Sequence, residues 1–245
     1  MQIDTLALRM RPRSPFEAAD LGVRLYQSVA GQVLKCYSVV ALPVFALAIA
    51  SVELAPWLPA LLLWWAKPWL DRTILFVLAR AAFGRRTSVG DLWQEQRDVW
   101  WRQLLLTVTI RRLSPWRSYT QPVYQLERLP FLQTHRRLKQ IKRRRKGSAA
   151  LMTSAFSMAE TALVFALVSL VYWFTPTELK PDLGEILGAQ RVEPLALVLP
   201  TCYVLTIGFV EPYYVAAGFA MYLNRRTELE AWDIEQELRR AFAAR

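Results

Sequence analysis

The sequence contains very little histidine and cysteine. Its 245 residues include one His and two Cys, so a metal site built on two histidines is excluded and a disulfide framework is not indicated. Cys36 and Cys202 each stand in an apolar stretch with no second Cys or His at ligand spacing, which predicts that both are packing residues. The sequence also lacks a glycine-rich phosphate loop. We therefore expect no cofactor and no metal ion.

The scarcity of histidine also argues against catalysis. A Ser or Cys nucleophile would depend on His135, which has no carboxylate nearby in the sequence to orient its ring. Glu160 and Glu211 could in principle act as paired carboxylates, but they fall on different predicted helices and nothing in the sequence fixes their spacing. We therefore predict no catalytic residues and a protein that is not an enzyme.

Apolar side chains are what the sequence has in excess. Hydrophobic residues make up 54% of the chain, which is more than a typical soluble domain contains. They are concentrated in long runs, so burial in lipid accounts for them better than an unusually large soluble core does. A single integral membrane domain, residues 1–245, is therefore expected.

The apolar runs predict an all-α membrane bundle of four transmembrane helices. The predicted spans cover residues 36–52, 57–84, 149–175 and 194–223. The first is close to the lower limit of length for crossing a hydrocarbon core of about 30 Å, and the other three are longer. Pro68 interrupts the second span and Pro212 the fourth, so a kink is expected in both helices. Residues 1–30 carry acidic side chains and no early apolar run, so we expect insertion through the first span rather than a cleavable signal peptide.

Basic residues are concentrated between the second and third spans. Residues 85–146 contain sixteen Lys or Arg and four acidic residues, a net charge of +12. Because basic loops stay inside the cell, this loop, residues 85–148, is expected to be cytoplasmic. Residues 176–193 carry two basic and four acidic side chains, which suits the periplasmic side. Four spans then give a multi-pass protein of the bacterial inner membrane with both termini in the cytoplasm.

Amphipathic interfacial helices are predicted next to the bundle. Capping signals with an acidic residue three positions later occur at Ser14, Ser88 and Thr227. The helix after Ser14 would align Ala18, Leu21, Leu25 and Val29 on one face, and the helix after Thr227 would align Ala231, Ile234, Leu238 and Phe242.

Residues 100–110 form an apolar run that is too short to span a bilayer and ends at Arg111 and Arg112. One interpretation places it along the inner membrane surface, with Trp100 and Trp101 at headgroup depth and the arginines on anionic lipid. The other is an ordinary buried helix within a loop subdomain. The sequence leaves both open.

Six charged residues fall inside the predicted spans. Arg80 lies near the end of the second span, where its side chain can reach water at the cytoplasmic interface. The other five are Lys67, Asp71, Arg72, Glu160 and Glu211. An unpaired charge at bilayer depth costs at least about 2.5 to 3.5 kcal/mol, so we expect these side chains to form a polar cluster in the bundle interior, with Lys67 paired to Glu211 or Glu160. The cluster could be a pathway for an ion, a proton or a lipid headgroup, or a structural ion pair. A pair beside a cavity would favour the first interpretation, and a sealed pair the second.

The basic run that follows His135 offers a second candidate site. It contains Arg136, Arg137, Lys139, Lys142, Arg143, Arg144, Arg145 and Lys146. Contact with anionic lipid is the first interpretation and an acidic protein partner the second. Nucleic acid is not expected, because no aromatic side chains are interleaved with the run to stack bases.

The second and fourth spans resemble each other around Pro68 and Pro212. Lys67 precedes Pro68 and Glu211 precedes Pro212, and each span is followed by two arginines and a threonine, at residues 85–87 and 225–227. This pattern indicates an internal repeat of two helical hairpins in the same orientation. Chance similarity is the alternative.

The most patterned stretches resemble a family of uncharacterised bacterial polytopic inner-membrane proteins. The similarity lies in residues 11–22 (RPRSPFEAADLG), 112–119 (RLSPWRSY), 122–127 (PVYQLE) and 211–235 (EPYYVAAGFAMYLNRRTELEAWDIE). The resemblance implies a multi-helix membrane protein that accompanies cytoplasmic ATPases and other membrane proteins in an envelope-associated system. It carries over no functional residues.

Two functions fit these observations. The first is a non-enzymatic inner-membrane scaffold or accessory component, which binds membrane lipids and docks a protein partner of an inner-membrane assembly through its basic loop and terminal helices. The alternative is a transporter or lipid-handling protein that uses the charged residues inside the bundle.

Overall fold

The computed structural model describes residues 13–102, 104–109, 111–127, 129–176 and 197–230. These residues form α1 (Pro15–Ala50), α2 (Leu58–Ala82), α3 (Val89–Gln94), α4 (Leu104–Val108), α5 (Arg117–Gln125), α6 (Phe131–Lys142), α7 (Lys146–Phe174) and α8 (Val198–Glu230). A 3-10 turn, Ser51–Glu53, follows α1, and a π-helical turn, Arg97–Trp101, precedes α4. Within the described ranges there is no strand, which confirms the all-α prediction.

Among the residues that the structure describes, three segments are long and apolar enough to cross a membrane: Pro15–Glu53, Lys146–Phe174 and Val198–Glu230. They correspond to the predicted first, third and fourth spans. The predicted second span, α2, is not among them, because Lys67, Asp71 and Arg72 interrupt its apolar residues. Both α2 and α8 continue as helices through their prolines, and the kinks expected there stay predictions.

Helix α1 joins two elements that the sequence analysis separates. It begins at a capping box, in which Ser14 Oγ accepts from the Glu17 amide at 3.3 Å and the Glu17 carboxylate accepts from the Ser14 amide at 3.1 Å. The helix then continues to Ala50, with one non-helical residue at Val29 (φ −125°, ψ 17°). The predicted interfacial helix is therefore the first part of α1, and its Ala18 is buried among protein atoms.

Close contact between helices places α8 at the centre of the fold. A Cβ atom added to Gly22 of α1 would lie 2.2 Å from the Ala216 carbonyl oxygen of α8, and one added to Gly218 of α8 would lie 2.3 Å from Ser118 Oγ of α5. Both distances are far shorter than van der Waals contact, so glycine is required at both positions. These glycines allow α1 and α5 to pack directly on the backbone of α8.

The segment between α2 and α7 packs on the second half of α2. Gly84 ends α2 in the left-handed conformation (φ 70°), with its amide bonded to the Ala81 carbonyl at 2.9 Å. Trp100 is 4% exposed and donates its indole N–H to Thr73 Oγ1 of α2 at 2.9 Å, whereas Trp101 is 62% exposed. Trp100 is therefore buried among protein atoms, as one of the two interpretations of residues 100–110 has it, and its depth relative to a membrane stays a prediction.

The capping predictions differ in outcome. Ser88 caps α3 as predicted, with Asp91 completing the capping box. Thr227 does not begin a helix, because α8 continues through it to Glu230 and the Thr227 hydroxyl donates to the Leu223 carbonyl at 3.0 Å. The predicted helix face at residues 231–242 lies outside the described residues, as does the predicted periplasmic segment 176–193 apart from Pro176.

Candidate functional site

Lys67 connects three helices. Its Nζ atom lies 2.6 Å from Glu160 Oε2 of α7 and 2.8 Å from Glu211 Oε2 of α8. The Lys67 side chain is 6% exposed and that of Glu211 is 2% exposed. At such burial an isolated charge would be costly, and mutual pairing reduces that cost. The structure therefore brings together three of the charged residues singled out in the predicted spans.

Arg117 of α5 joins this group, although it lies outside the predicted spans and was not expected there. Its Nε atom lies 3.1 Å from Asp71 Oδ2, and its Nη2 atom contacts Glu211 Oε1. Glu211 is thus shared between Lys67 and Arg117. We call these five side chains, Lys67, Asp71, Arg117, Glu160 and Glu211, the charged cluster; it contains two cations and three carboxylates.

Arg72, which the sequence analysis places with these residues, lies apart from them. Consecutive residues of a helix point about 100° apart, so Asp71 and Arg72 face different neighbours. Arg72 donates from Nη1 to Thr107 Oγ1 at 3.1 Å, from Nη2 to the Asp98 carbonyl at 3.2 Å, and from Nε to the Val99 carbonyl. Its role is to attach the π-helical turn and α4 to α2.

A cavity of about 330 Å³ lies beside the charged cluster. Lys67, Arg117, Glu160 and Glu211 line it together with Trp64 and Phe156. This volume falls at the lower end of the range of small-molecule sites. The Lys67–Glu211 pair therefore lines an open space and is not sealed within packed side chains. We call this space the charged cavity.

Arg112 forms another wall of the charged cavity. Its guanidinium carbon lies 3.9 Å from the centroid of the Trp64 ring, and the residue is 8% exposed. Nε has no hydrogen-bond partner, and Arg112 forms no ion pair with a carboxylate in the part of the chain that the structure describes. Burial and the nearby Arg117 charge lower the pKa of Arg112 to about 10, despite the opposing effect of Asp71 and Glu211.

A second cavity, of about 340 Å³, adjoins the first. The two share Trp64, Ser157 and Glu160 as lining residues. Most other residues of the second cavity are apolar or aromatic: Pro56, Ala60, Val164, Phe165, Leu199, Pro200 and Tyr203. The two cavities are therefore neighbours separated by shared side chains, one lined by charged residues and the other mainly by apolar ones. We call the second one the apolar cavity.

The basic run on α6 and at the start of α7 divides into two groups. Arg136, Lys139, Arg143, Arg144 and Lys146 are exposed. Arg137 pairs with Glu127 at 2.9 Å and with Glu230, Arg145 pairs with Glu228 at 2.5 Å, and Lys142 lies 5.0 Å from the centroid of the Trp116 ring. The second group holds α6 and α7 to their neighbours, and the first is exposed to an external ligand, although Lys146 Nζ also lies 6.0 Å from the Trp116 ring centroid.

Within the described ranges, no group of three or more His, Cys, Asp or Glu side chains is placed to hold a metal ion. Cys36 and Cys202 are buried free thiols, as the sequence predicts.

Comparisons of the chain with protein-family models, with curated proteins and with solved structures find no match. The resemblance to inner-membrane proteins therefore stays a prediction. A functional assignment must come from the charged cluster and the two cavities.

Proposed function

We propose that the protein handles a polar or charged ligand within the membrane, as a transporter or lipid-handling protein, with the charged cavity as its binding site. The observation that supports this most is the position of the Lys67–Glu211 pair at a cavity wall. An ion pair that served only to hold helices in register would need no open space beside it. Of the two functions that fit the sequence, this is the alternative, a transporter or lipid-handling protein, and not the scaffold.

The proposal includes α2 as a fourth membrane span. Lys67 follows Leu58 by nine residues, which at about 1.5 Å per residue is about 14 Å along the helix. In a hydrocarbon core of about 30 Å, this distance would place Lys67 within the bilayer, at a depth that Arg117 of the segment between α2 and α7 reaches from its own side of the membrane. Helix α7 supports the membrane setting, because none of the most apolar window of its 29 residues is buried by protein. A membrane would cover this apolar surface.

The sidedness that we propose follows from charge. The segment between α2 and α7 carries a net charge of +12 over residues 85–146, so we place it in the cytoplasm, with both termini on the same side of a bacterial inner membrane. Arg112 and Arg117 belong to this segment and contribute to the charged cavity. The cavity would then be reached from the cytoplasmic side of the bilayer.

Ion-pair exchange is the chemistry that this arrangement offers. Glu160 is the most exposed carboxylate of the cluster, at 18% of its side chain, and it shares Lys67 with Glu211. An anionic ligand group could therefore replace Glu160 at Lys67 while Glu211 keeps the lysine paired. Because buried charges exchange partners at lower cost than they lose them, the cluster could accept and release a ligand.

The test obstructs the charged and apolar cavities without replacing a charged residue. Ser157 lines both cavities, so Ser157→Trp should place a bulky ring beside both and obstruct them. Leu163→Trp on the same helix is the matched control, because Leu163 is 37% exposed and lines neither cavity. In a strain that lacks the gene, we expect Leu163→Trp to restore the wild-type phenotype and Ser157→Trp to fail, with both proteins expressed and melting as the wild type does in detergent. Full complementation by Ser157→Trp would overturn the proposal.

Docking of a protein partner is the second candidate. It is supported by the five exposed basic residues Arg136, Lys139, Arg143, Arg144 and Lys146. Purification in mild detergent separates the two functions. A partner recovered in fixed stoichiometry would support docking, whereas a protein that is recovered alone with bound lipid would support the cavity proposal.

A further inference from the structure

Arg112 differs from the other two cations of the charged cavity. Lys67 contacts two carboxylates, those of Glu160 and Glu211, and Arg117 also contacts two, those of Asp71 and Glu211. Arg112 contacts none among the described carboxylates, although it is 8% exposed and its Nε lacks a hydrogen-bond partner. A buried guanidinium without an anion is costly. An anionic group from a ligand would remove that cost.

The Trp64 ring determines which part of Arg112 a ligand can reach. The guanidinium carbon lies 3.9 Å from the ring centroid, so the indole covers one face of the planar group. The N–H donors of a guanidinium point outward in its plane and match the spacing of phosphate or carboxylate oxygens. A phosphate at the edge of Arg112 would gain hydrogen bonds and keep the cation–π contact intact.

The apolar cavity adds a second requirement on the ligand. It shares Trp64 and Ser157 with the charged cavity, and it is lined by residues such as Val164, Phe165 and Leu199. Inorganic phosphate would occupy only the charged end. A molecule with a phosphate and an alkyl chain would occupy both ends, with the chain against side chains that it can desolvate.

We infer that the ligand is an anionic phospholipid, whose phosphate binds Arg112 and whose acyl chain enters the apolar cavity. This inference rests on the proposed function, since it names the ligand class of the same site. Sites of this kind, in which basic side chains lie between membrane helices, suit anionic headgroups.

Binding to the purified full-length protein in a mild non-ionic detergent tests the inference. The probes are phosphatidylglycerol, phosphatidylcholine with the same acyl chains, and inorganic phosphate. Native mass spectrometry counts bound lipid, and displacement of a fluorescent phosphatidylglycerol measures affinity. We expect saturable binding of phosphatidylglycerol, weaker binding of phosphatidylcholine, and displacement by inorganic phosphate only at much higher concentration.

Two variants separate the headgroup from the chain. Arg112→Gln should weaken phosphatidylglycerol binding about tenfold or more, the effect of losing hydrogen bonds to a charged group, and its control is Arg136→Gln on the exposed face of α6. Ala60→Trp should fill the apolar cavity and weaken lipid binding without changing phosphate binding, and its control is the neighbouring Leu61→Trp, which lines neither cavity. A melting curve without added lipid shows whether Arg112→Gln is folded. Arg112→Lys is the variant that keeps the charge.

The outcomes distinguish this inference from the proposed function. Unchanged phosphatidylglycerol binding in folded Arg112→Gln would overturn the phosphate contact. Tight binding of inorganic phosphate together with full lipid binding by Ala60→Trp would overturn the lipid assignment in favour of a free anion. In either case the proposed function would survive if Ser157→Trp still failed to complement. A different result would be loss of lipid binding in Arg112→Gln together with full complementation by Ser157→Trp. It would support a lipid-binding site and overturn the proposed function.

Discussion

Lys67 and Glu211, each the residue immediately before a proline in its helix, form an ion pair of 2.8 Å between α2 and α8. A proline inside a helix has no amide hydrogen, so each helix lacks one regular backbone hydrogen bond next to the pair. The corresponding positions of the two similar sequence stretches are thus in contact. This contact is compatible with the predicted internal repeat, which itself stays a prediction.

The first prediction concerns Lys67. Lys67→Met should lower the free energy of unfolding by about 3 to 5 kcal/mol, because Glu160 and Glu211 would lose a buried partner. Denaturation in detergent, followed by tryptophan fluorescence, measures the loss. The double variant Lys67→Met/Glu160→Gln should recover part of it, since one uncompensated carboxylate is removed. Equal stability of Lys67→Met and the wild type would contradict the buried pairing.

The second prediction concerns the contribution of the segment between α2 and α7 to the charged cluster. Arg117→Met should destabilise the protein to a similar extent, because Asp71 and Glu211 both contact its guanidinium. Arg117→Lys should recover only part of the loss, since one ammonium cannot reproduce the fork that meets two carboxylates. Arg136→Met, on the exposed part of α6, serves as the control and should leave the melting temperature unchanged. A harmless Arg117→Met would place α5 outside the core.

The third prediction tests the close approach of α1 to α8. Gly22→Ala should cost about 1 to 3 kcal/mol, the usual penalty of overpacking, because its Cβ would meet the Ala216 carbonyl oxygen at 2.2 Å. Gly31→Ala on the same helix has nothing within 4 Å and should stabilise the protein by up to about 1 kcal/mol through helix propensity. Melting temperatures of the two variants should therefore move in opposite directions. A shift in the same direction would show that the two helices pack differently.

The fourth prediction separates the two groups within the basic run. Replacing the five exposed residues, Arg136, Lys139, Arg143, Arg144 and Lys146, with Gln should weaken binding to anionic vesicles, and the wild-type binding should fall steeply with salt. Arg137→Gln should instead lower stability, because Glu127 and Glu230 both contact its guanidinium. Salt-insensitive vesicle binding by the wild type would count against an electrostatic lipid surface.

Much of the fold could be predicted from the sequence because the physical signals were local. Long apolar runs marked α7 and α8, and the Ser14 and Ser88 capping boxes marked two helix starts. Lys67 and Glu211 could be expected to pair because a lone charge in an apolar helix is costly. Each of these inferences needed only the composition and spacing of neighbouring residues.

The parts that could not be predicted depend on contacts between distant segments. Arg117 lies in a segment rich in arginine, so nothing in its charge separates it from solvated neighbours. A weaker signal was present, because residues 118–126 that follow it carry no charge, which is unusual in this segment and fits the burial of α5. Trp100 could equally have met a membrane surface, and its place depends on contacts with the Thr73 hydroxyl and the Trp69 and Trp93 rings.

Protection of a thiol in the shared part of the two cavities tests the central claim most directly. In a background with Cys36→Ala and Cys202→Ala, Ser157→Cys should react with a water-soluble maleimide, and saturating phosphatidylglycerol should slow this reaction because the lipid fills the adjoining space. Leu163→Cys, which lines neither cavity, should react at the same rate with and without the lipid. Equal slowing of both reactions, or of neither, would contradict a ligand cavity beside the Lys67–Glu211 pair.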